Sequence, residues 1–234
     1  MALNKETFRL RALTALIFVA VMMAGLLVNE WTFLLLLTLI HFGCWYEFIK
    51  ILKRIYGPRY FPYTLTGILY ITIPILMLVD LRIDWLDFQG MEKNFNFGIT
   101  IPILIIFSIW VNDTMAYLVG SFIGRTPFSK ISPKKTWEGT LGGAILCVLA
   151  IGFMFPLLAE RFFVPFEHNY TYFVIAALCA FFGTLGDLLE SKLKRLANVK
   201  DSGAIMPGHG GFLDRFDSLL VATPAVWLYF ELFV

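Results

Sequence analysis

Seven apolar stretches, at about residues 12–28, 31–49, 63–80, 98–120, 140–159, 171–189 and 218–234, constrain this chain more than any other feature. A helix crossing about 30 Å of hydrocarbon needs roughly 20 mostly apolar residues, and a helix satisfies its own backbone hydrogen bonds there. The pattern predicts an all-α, polytopic integral membrane protein of about seven transmembrane helices. Composition agrees, with 59% of the 234 residues hydrophobic and 15% charged, where soluble domains carry about a quarter charged residues. A net charge of +2 gives no reason to expect a nucleic-acid partner. Cys44, Cys147 and Cys179 all lie within apolar runs, without disulfide or zinc spacing, and read as small hydrophobes. Lys5, Arg9 and Arg11 precede the first run, which ends without a small-x-small cleavage site, so it reads as a span and not a removable leader.

Lysine and arginine set orientation, because loops rich in them stay in the cytosol. The N-terminus and the loops after spans two, four and six hold sixteen of the nineteen. The opposite side has only Arg82, Lys93 and Arg161, among six acids. The bias alternates at each crossing, which predicts an odd number of spans and a cytosolic N-terminus.

Three polar segments fall on that cytosolic side and predict a polar cavity there. They are WVNDTMAYLVGSFIGR (110–125), SPKKTWEGTLGG (132–143) and the stretch from GTLGDLLESKLKR (183–195) to Asp217. Residues 1–109 then read as plain membrane spans and 110–234 as the part carrying the chemistry, within one continuous domain. Asp113 sits inside a span, where a carboxylate must face a cavity or a partner. Asp187 and Glu190 are three apart on a predicted helix, hence on one face, as are Asp214 and Asp217. Such acids suit a hard divalent cation that takes carboxylate and phosphate oxygens together. Pro207-Gly208-His209-Gly210-Gly211 is a loop whose backbone can cradle an anion. Lys134, Lys135, Lys194, Arg195, Lys200 and Arg215 offer charge for phosphates. Ser132-Pro133 reads as a helix start, cap then first turn. Acids for a metal and bases for phosphate, within a membrane wall, point to chemistry between a nucleotide and a lipid phosphate.

Most other polar residues have plainer readings. Lys50, Lys53, Arg54, Arg125 and Lys130 read as topology signals near head groups, and Gly142, Gly143, Gly183 and Gly186 as small residues that let helices approach. His41 and Glu47 read as interfacial or helix-paired, and Trp31, Trp45, Trp85 and Trp227 as interfacial anchors.

From Ser191 the chain runs SKLKRLANVKDSGAIMPGHGGFLDRFD. This resembles the long C-terminal motif of the phosphatidate cytidylyltransferases, or CDP-diacylglycerol synthases. Its fixed positions are met by Ser191, Lys194, Arg195, Lys200, Asp201, His209, Gly210, Gly211, Asp214, Arg215 and Asp217. NDTMAYLVG, SPKKTWEG and GDLLES are similar to further family segments, so the likeness covers roughly 110–217. The resemblance implies the Mg²⁺-dependent reaction of CTP with phosphatidate to give CDP-diacylglycerol and pyrophosphate, for phospholipid synthesis at a bacterial inner membrane. It implies Asp187 and Asp214 as the first metal ligands, with Asp113, Asp217 and Glu190 as further or supporting ones, for one or two ions and with room for a monovalent cation. Lys134, Lys135 and Lys200 join Asp187, Asp214 and Asp217 in the implied catalytic set. Ser132, Lys194, Arg195, His209, Gly210, Gly211 and Arg215 are the implied substrate-binding set, and a homodimer is compatible with it. The Asp-Gly…Ala-Arg motif of CDP-alcohol phosphotransferases is absent, since Asp113 precedes Thr114 and Asp187 precedes Leu188. A polyprenol kinase would not require the full motif, and an ion-coupled transporter would need polar residues across the far half.

Overall fold

The computed structural model describes residues 5–83, 95–129, 131–204 and 210–234. Among them the regular structure is helical: α1 (Lys5–Leu27), α2 (Glu30–Tyr56), α3 (Leu65–Gly67), α4 (Ile73–Ile83), α5 (Phe95–Ile123), α6 (Trp137–Phe162), α7 (Tyr170–Leu196) and α8 (Leu213–Phe233). Two 3₁₀ turns follow α2, and a π-helical turn, Ile68–Thr72, joins α3 to α4. Among the described residues, six helices are long and apolar enough to cross a membrane. Among the residues whose side chains are described, α1 is apolar over Leu13–Leu27, within the expected first span. Lys5, Arg9 and Arg11 occupy its earlier turns in sequence. Elsewhere the helices outrun the apolar stretches, because charged residues at their ends continue the turn beyond the greasy part.

The burial pattern is that of a protein dissolved in hydrocarbon. Leu16 and Phe122 are 69% and 82% exposed, whereas Glu47 and Glu190 are each 1% exposed. An apolar side chain loses nothing by facing lipid, while a carboxylate must turn inward to find donors. The three cysteines are free and buried, as expected of small hydrophobes.

The described chain divides into two compact units, each discontinuous in sequence. The first comprises Met1–Thr72 and Leu193–Phe216, the second Ile73–Lys192 and Asp217–Val234. In the first, Asn29 stops α1 and starts α2. Its side chain accepts from Thr32 N at 2.8 Å, and Thr32 Oγ1 accepts from Asn29 N at 3.2 Å, closing a capping box. Trp45 Nε1 donates to Thr72 Oγ1 at 3.0 Å, and His41 Nε2 lies 3.1 Å from the same hydroxyl. These two aromatic residues thus tie α2 to the π-helical turn.

In the second unit α5 and α6 approach through small residues. A Cβ on Gly143 would come within 2.5 Å of the Ala116 backbone, so only glycine admits this spacing. At the end near Ile83, Trp227 Nε1 donates to the buried Asp80 Oδ2 at 2.7 Å. The expected start of α6 at Ser132-Pro133 is not what forms. Ser132 O accepts from Lys135 N in a turn, and Phe128 N donates to Lys135 O at 2.8 Å. The helix begins at Trp137, with Thr136 extended as its cap and accepting from Gly139 N at 3.1 Å. Pro127 pairs with Thr136, and the turn between them ends in the extended threonine, the first residue placed to cap the helix.

Gly143→Leu should force α5 and α6 apart and lower stability by about 1–3 kcal/mol or more. The check is a fall in the thermal unfolding midpoint of the detergent-solubilised protein.

Candidate active site

Polar side chains gather in each unit separately. In the second, a cavity of about 430 Å³ is lined by Asn112 and Asp113 of α5, Ser132, Lys134 and Lys135 of the turn before α6, and Asp187 of α7, among others. The carboxylate of Glu138 accepts from Arg125 N at 3.1 Å and from Thr126 N at 3.1 Å, which fastens the chain entering that turn. The turn in turn sets Lys135, whose Nζ lies 2.7 Å from Asp187 Oδ2, both side chains being 31% exposed. Lys134, beside it, is exposed.

Asp217, buried at 6% exposure, faces the like charges of Asp187 and Asp113 and the countercharge of Lys135. α8 reaches this position because Gly186 leaves room for the Asp217 carbonyl, where a Cβ would collide with it. Asn112 Oδ1 is buried with no hydrogen-bond partner among the described residues. Three carboxylates and an idle amide oxygen are hard oxygen donors, and a single lysine leaves them short of positive charge. That inventory fits a hard divalent cation completing its shell with phosphate oxygens or water. The described side chains hold no ready-made cage: no three His, Cys, Asp or Glu residues are drawn close enough to bind an ion by themselves. Glu190 is on α7 and buried.

In the first unit the hub is Asp214. Its Oδ1 accepts from Lys194 Nζ at 2.6 Å, and its Oδ2 accepts from Ser202 N and Gly211 N, each at 2.8 Å. Ser202 Oγ also lies 2.8 Å from Oδ2. Gly210 adopts φ +85°, a left-handed conformation that glycine takes at little cost. Arg195, Lys200 and Arg215 are exposed. The expected donor His209 lies outside the described residues.

The two acid pairs read from spacing are therefore distributed differently. Asp187 and Glu190 share the second unit, while Asp214 belongs to the first and Asp217 to the second. Sequence reasoning overlooked three residues. Glu47 of α2, read as interfacial or helix-paired, is buried and accepts from Ser202 Oγ, Phe212 N and Leu213 N. Its signal was available, a carboxylate within an apolar span, the same one that singled out Asp113. Ser202 and Asn112 carried no such signal.

A family model described as "Cytidylyltransferase family" matches residues 61–233. The "Phosphatidate cytidylyltransferase" of Rickettsia felis is 34% identical over 238 residues, covering 97% of this chain and 94% of that protein. The chain belongs to the cytidylyltransferase family. Relatives of the same name in Bacillus subtilis and Thermotoga maritima are 43% and 40% identical over 138 and 139 residues. Those matches cover 58% of this chain and 49% and 51% of the relatives, so the chain spans about half their length. Within this cytidylyltransferase, the matched stretch takes in both polar clusters except for Glu47, which precedes it.

Proposed function

We propose that this cytidylyltransferase transfers the cytidylyl group of CTP to phosphatidate at the cytosolic face of a bacterial cell membrane, releasing pyrophosphate. A phosphatidate oxygen attacks the α-phosphorus of CTP, the bond from that phosphorus to the bridging oxygen breaks, and the electron pair leaves on pyrophosphate. The nucleophile is already an anion at neutral pH, so no strong base is required; positioning and neutralisation of charge do the work. The observation that carries the reading is a polar cavity joined to an apolar groove. A groove of about 440 Å³ along α6 and α7 shares Thr140 and Thr184 with the cavity that holds Lys134, Lys135 and Asp187. A molecule with a phosphate head and a hydrocarbon tail matches that pair of surfaces.

In the second unit Asp187, with Asp113, Asp217 and Glu190 beside it in the same unit, would hold Mg²⁺; Asp214 would serve an ion in the first. Bound there, the ion would supply positive charge to the phosphate oxygens as negative charge develops on pyrophosphate. Lys135 fixes Asp187 and can turn toward phosphate, and Lys134 is free of helical constraint to meet the nucleotide. Ser132 can donate to a phosphate oxygen. In the first unit Lys194, Arg195, Lys200 and Arg215, with the His209-Gly210-Gly211 turn, would hold the remaining phosphates.

Purified protein in detergent with CTP, phosphatidate and Mg²⁺ is expected to form CDP-diacylglycerol, and Asp187→Asn to lower turnover about 100-fold or more. Transfer of the γ-phosphate to a lipid alcohol instead would replace this reading with that of a lipid kinase. Ala177→Trp, filling the exposed side of the groove, should raise the KM for dioleoyl phosphatidate and spare that for the dihexanoyl form. Equal effects on both would remove the tail from the groove. For orientation, a cysteine replacing the exposed Ala204 should be labelled by an impermeant maleimide in inside-out vesicles and not from outside intact cells.

A further inference from the structure

We propose that Glu47, on the second helix and ahead of the matched family stretch, is a positioning residue that sets Asp214 for the reaction through Ser202. The proposal rests on the reaction proposed above and concerns the first unit alone. Glu47 is 1% exposed in a helix apolar enough to cross a membrane, so its charge must be met locally. It is met by three donors from one short segment. Phe212 N donates to Oε1 at 3.0 Å, Leu213 N to Oε2 at 2.9 Å, and Ser202 Oγ lies 2.7 Å from Oε2. The two amides belong to the entry of α8, where unsatisfied N–H groups favour an anion. Glu47 therefore caps α8 from another helix.

The same Ser202 hydroxyl reaches Asp214. Its oxygen lies 2.7 Å from Glu47 Oε2 and 2.8 Å from Asp214 Oδ2, and it accepts from Asp214 N at 3.2 Å. One hydroxyl carries one proton, so the two carboxylates compete for a single donor. Any change at Glu47 thereby alters what Asp214 receives. Glycine on both sides confirms the fit of the carboxylate. A Cβ at Gly203 or at Gly211 would run into Glu47, so both must stay bare for the acid to enter. The outcome is a rigid joint: Glu47 anchors residues 202–203 and 211–213, and Asp214, one residue on, inherits its position and its bond to Lys194.

The experiment combines kinetics with backbone exchange on the full chain in detergent. Glu47→Ala should lower kcat about 100-fold, the scale of a misplaced group, with little change in the KM for CTP. Glu47→Gln keeps the shape and one acceptor oxygen, and should recover part of that loss. Ser202→Ala should lower kcat while leaving the Phe212 and Leu213 amides protected from hydrogen exchange. In Glu47→Gln those amides should exchange faster than in the parent, with α5 and α6 unchanged. Parental kcat in either Ser202→Ala or Glu47→Ala would overturn the link to Asp214, and unchanged amide protection in Glu47→Gln would overturn the clamp. If the parent forms no CDP-diacylglycerol, the proposed reaction fails, while the exchange measurement still decides whether Glu47 holds the segment.

Discussion

A charge carried on an apolar helix has to be met by donors at short range, since neither water nor lipid will meet it there. This constraint organises both units. Glu47 and Asp214 are satisfied by backbone amides, a serine and a lysine drawn from residues 194–213. Asp187 is satisfied by Lys135, and Asp80 by the indole of Trp227. The Glu47, Asp187 and Asp80 contacts join segments far apart in sequence. The acids thus do for the helices what apolar burial does for a soluble core, because apolar surface facing lipid supplies no comparable drive.

The two clusters differ in what they leave available. In the first unit Asp214 is surrounded by donors and the segment around it is fastened at several points. In the second, three carboxylates share one lysine beside an amide oxygen with nothing to accept from. Such a deficit of positive charge suits the uptake of the divalent cation proposed above. The helices come close enough for this only where glycine stands, Gly143 against Ala116 and Gly186 against Asp217.

Several features were legible from the letters because they obey local rules. The inert cysteines and the left-handed Gly210 are of this kind. So is the use of Gly143 and Gly186 as close-packing sites. The start of α6 was misread because Ser132-Pro133 satisfies the local rule for a cap, yet Ser132 is taken up in a turn and the pairing of Pro127 with Thr136 delays the helix. Trp227 and Trp45, read as interfacial anchors, each have an indole N–H engaged with a particular acceptor. A competing tertiary contact, invisible to a window of neighbouring residues, decided each of these.

The sequence by itself determined that the chain is helical with spans apolar enough to cross a membrane, which family it belongs to, and which polar letters stand in its motif. Hydropathy and a dense motif are properties of local strings, and both can be read in one dimension. Only the tertiary structure decided how those letters are grouped. Asp214 and Asp217 are three residues apart yet serve different units, whereas Glu47 and Ser202 are 155 apart and touch. The reason is physical: a buried carboxylate takes the nearest donors in space, and chain order sets no distance between helices that fold back on one another.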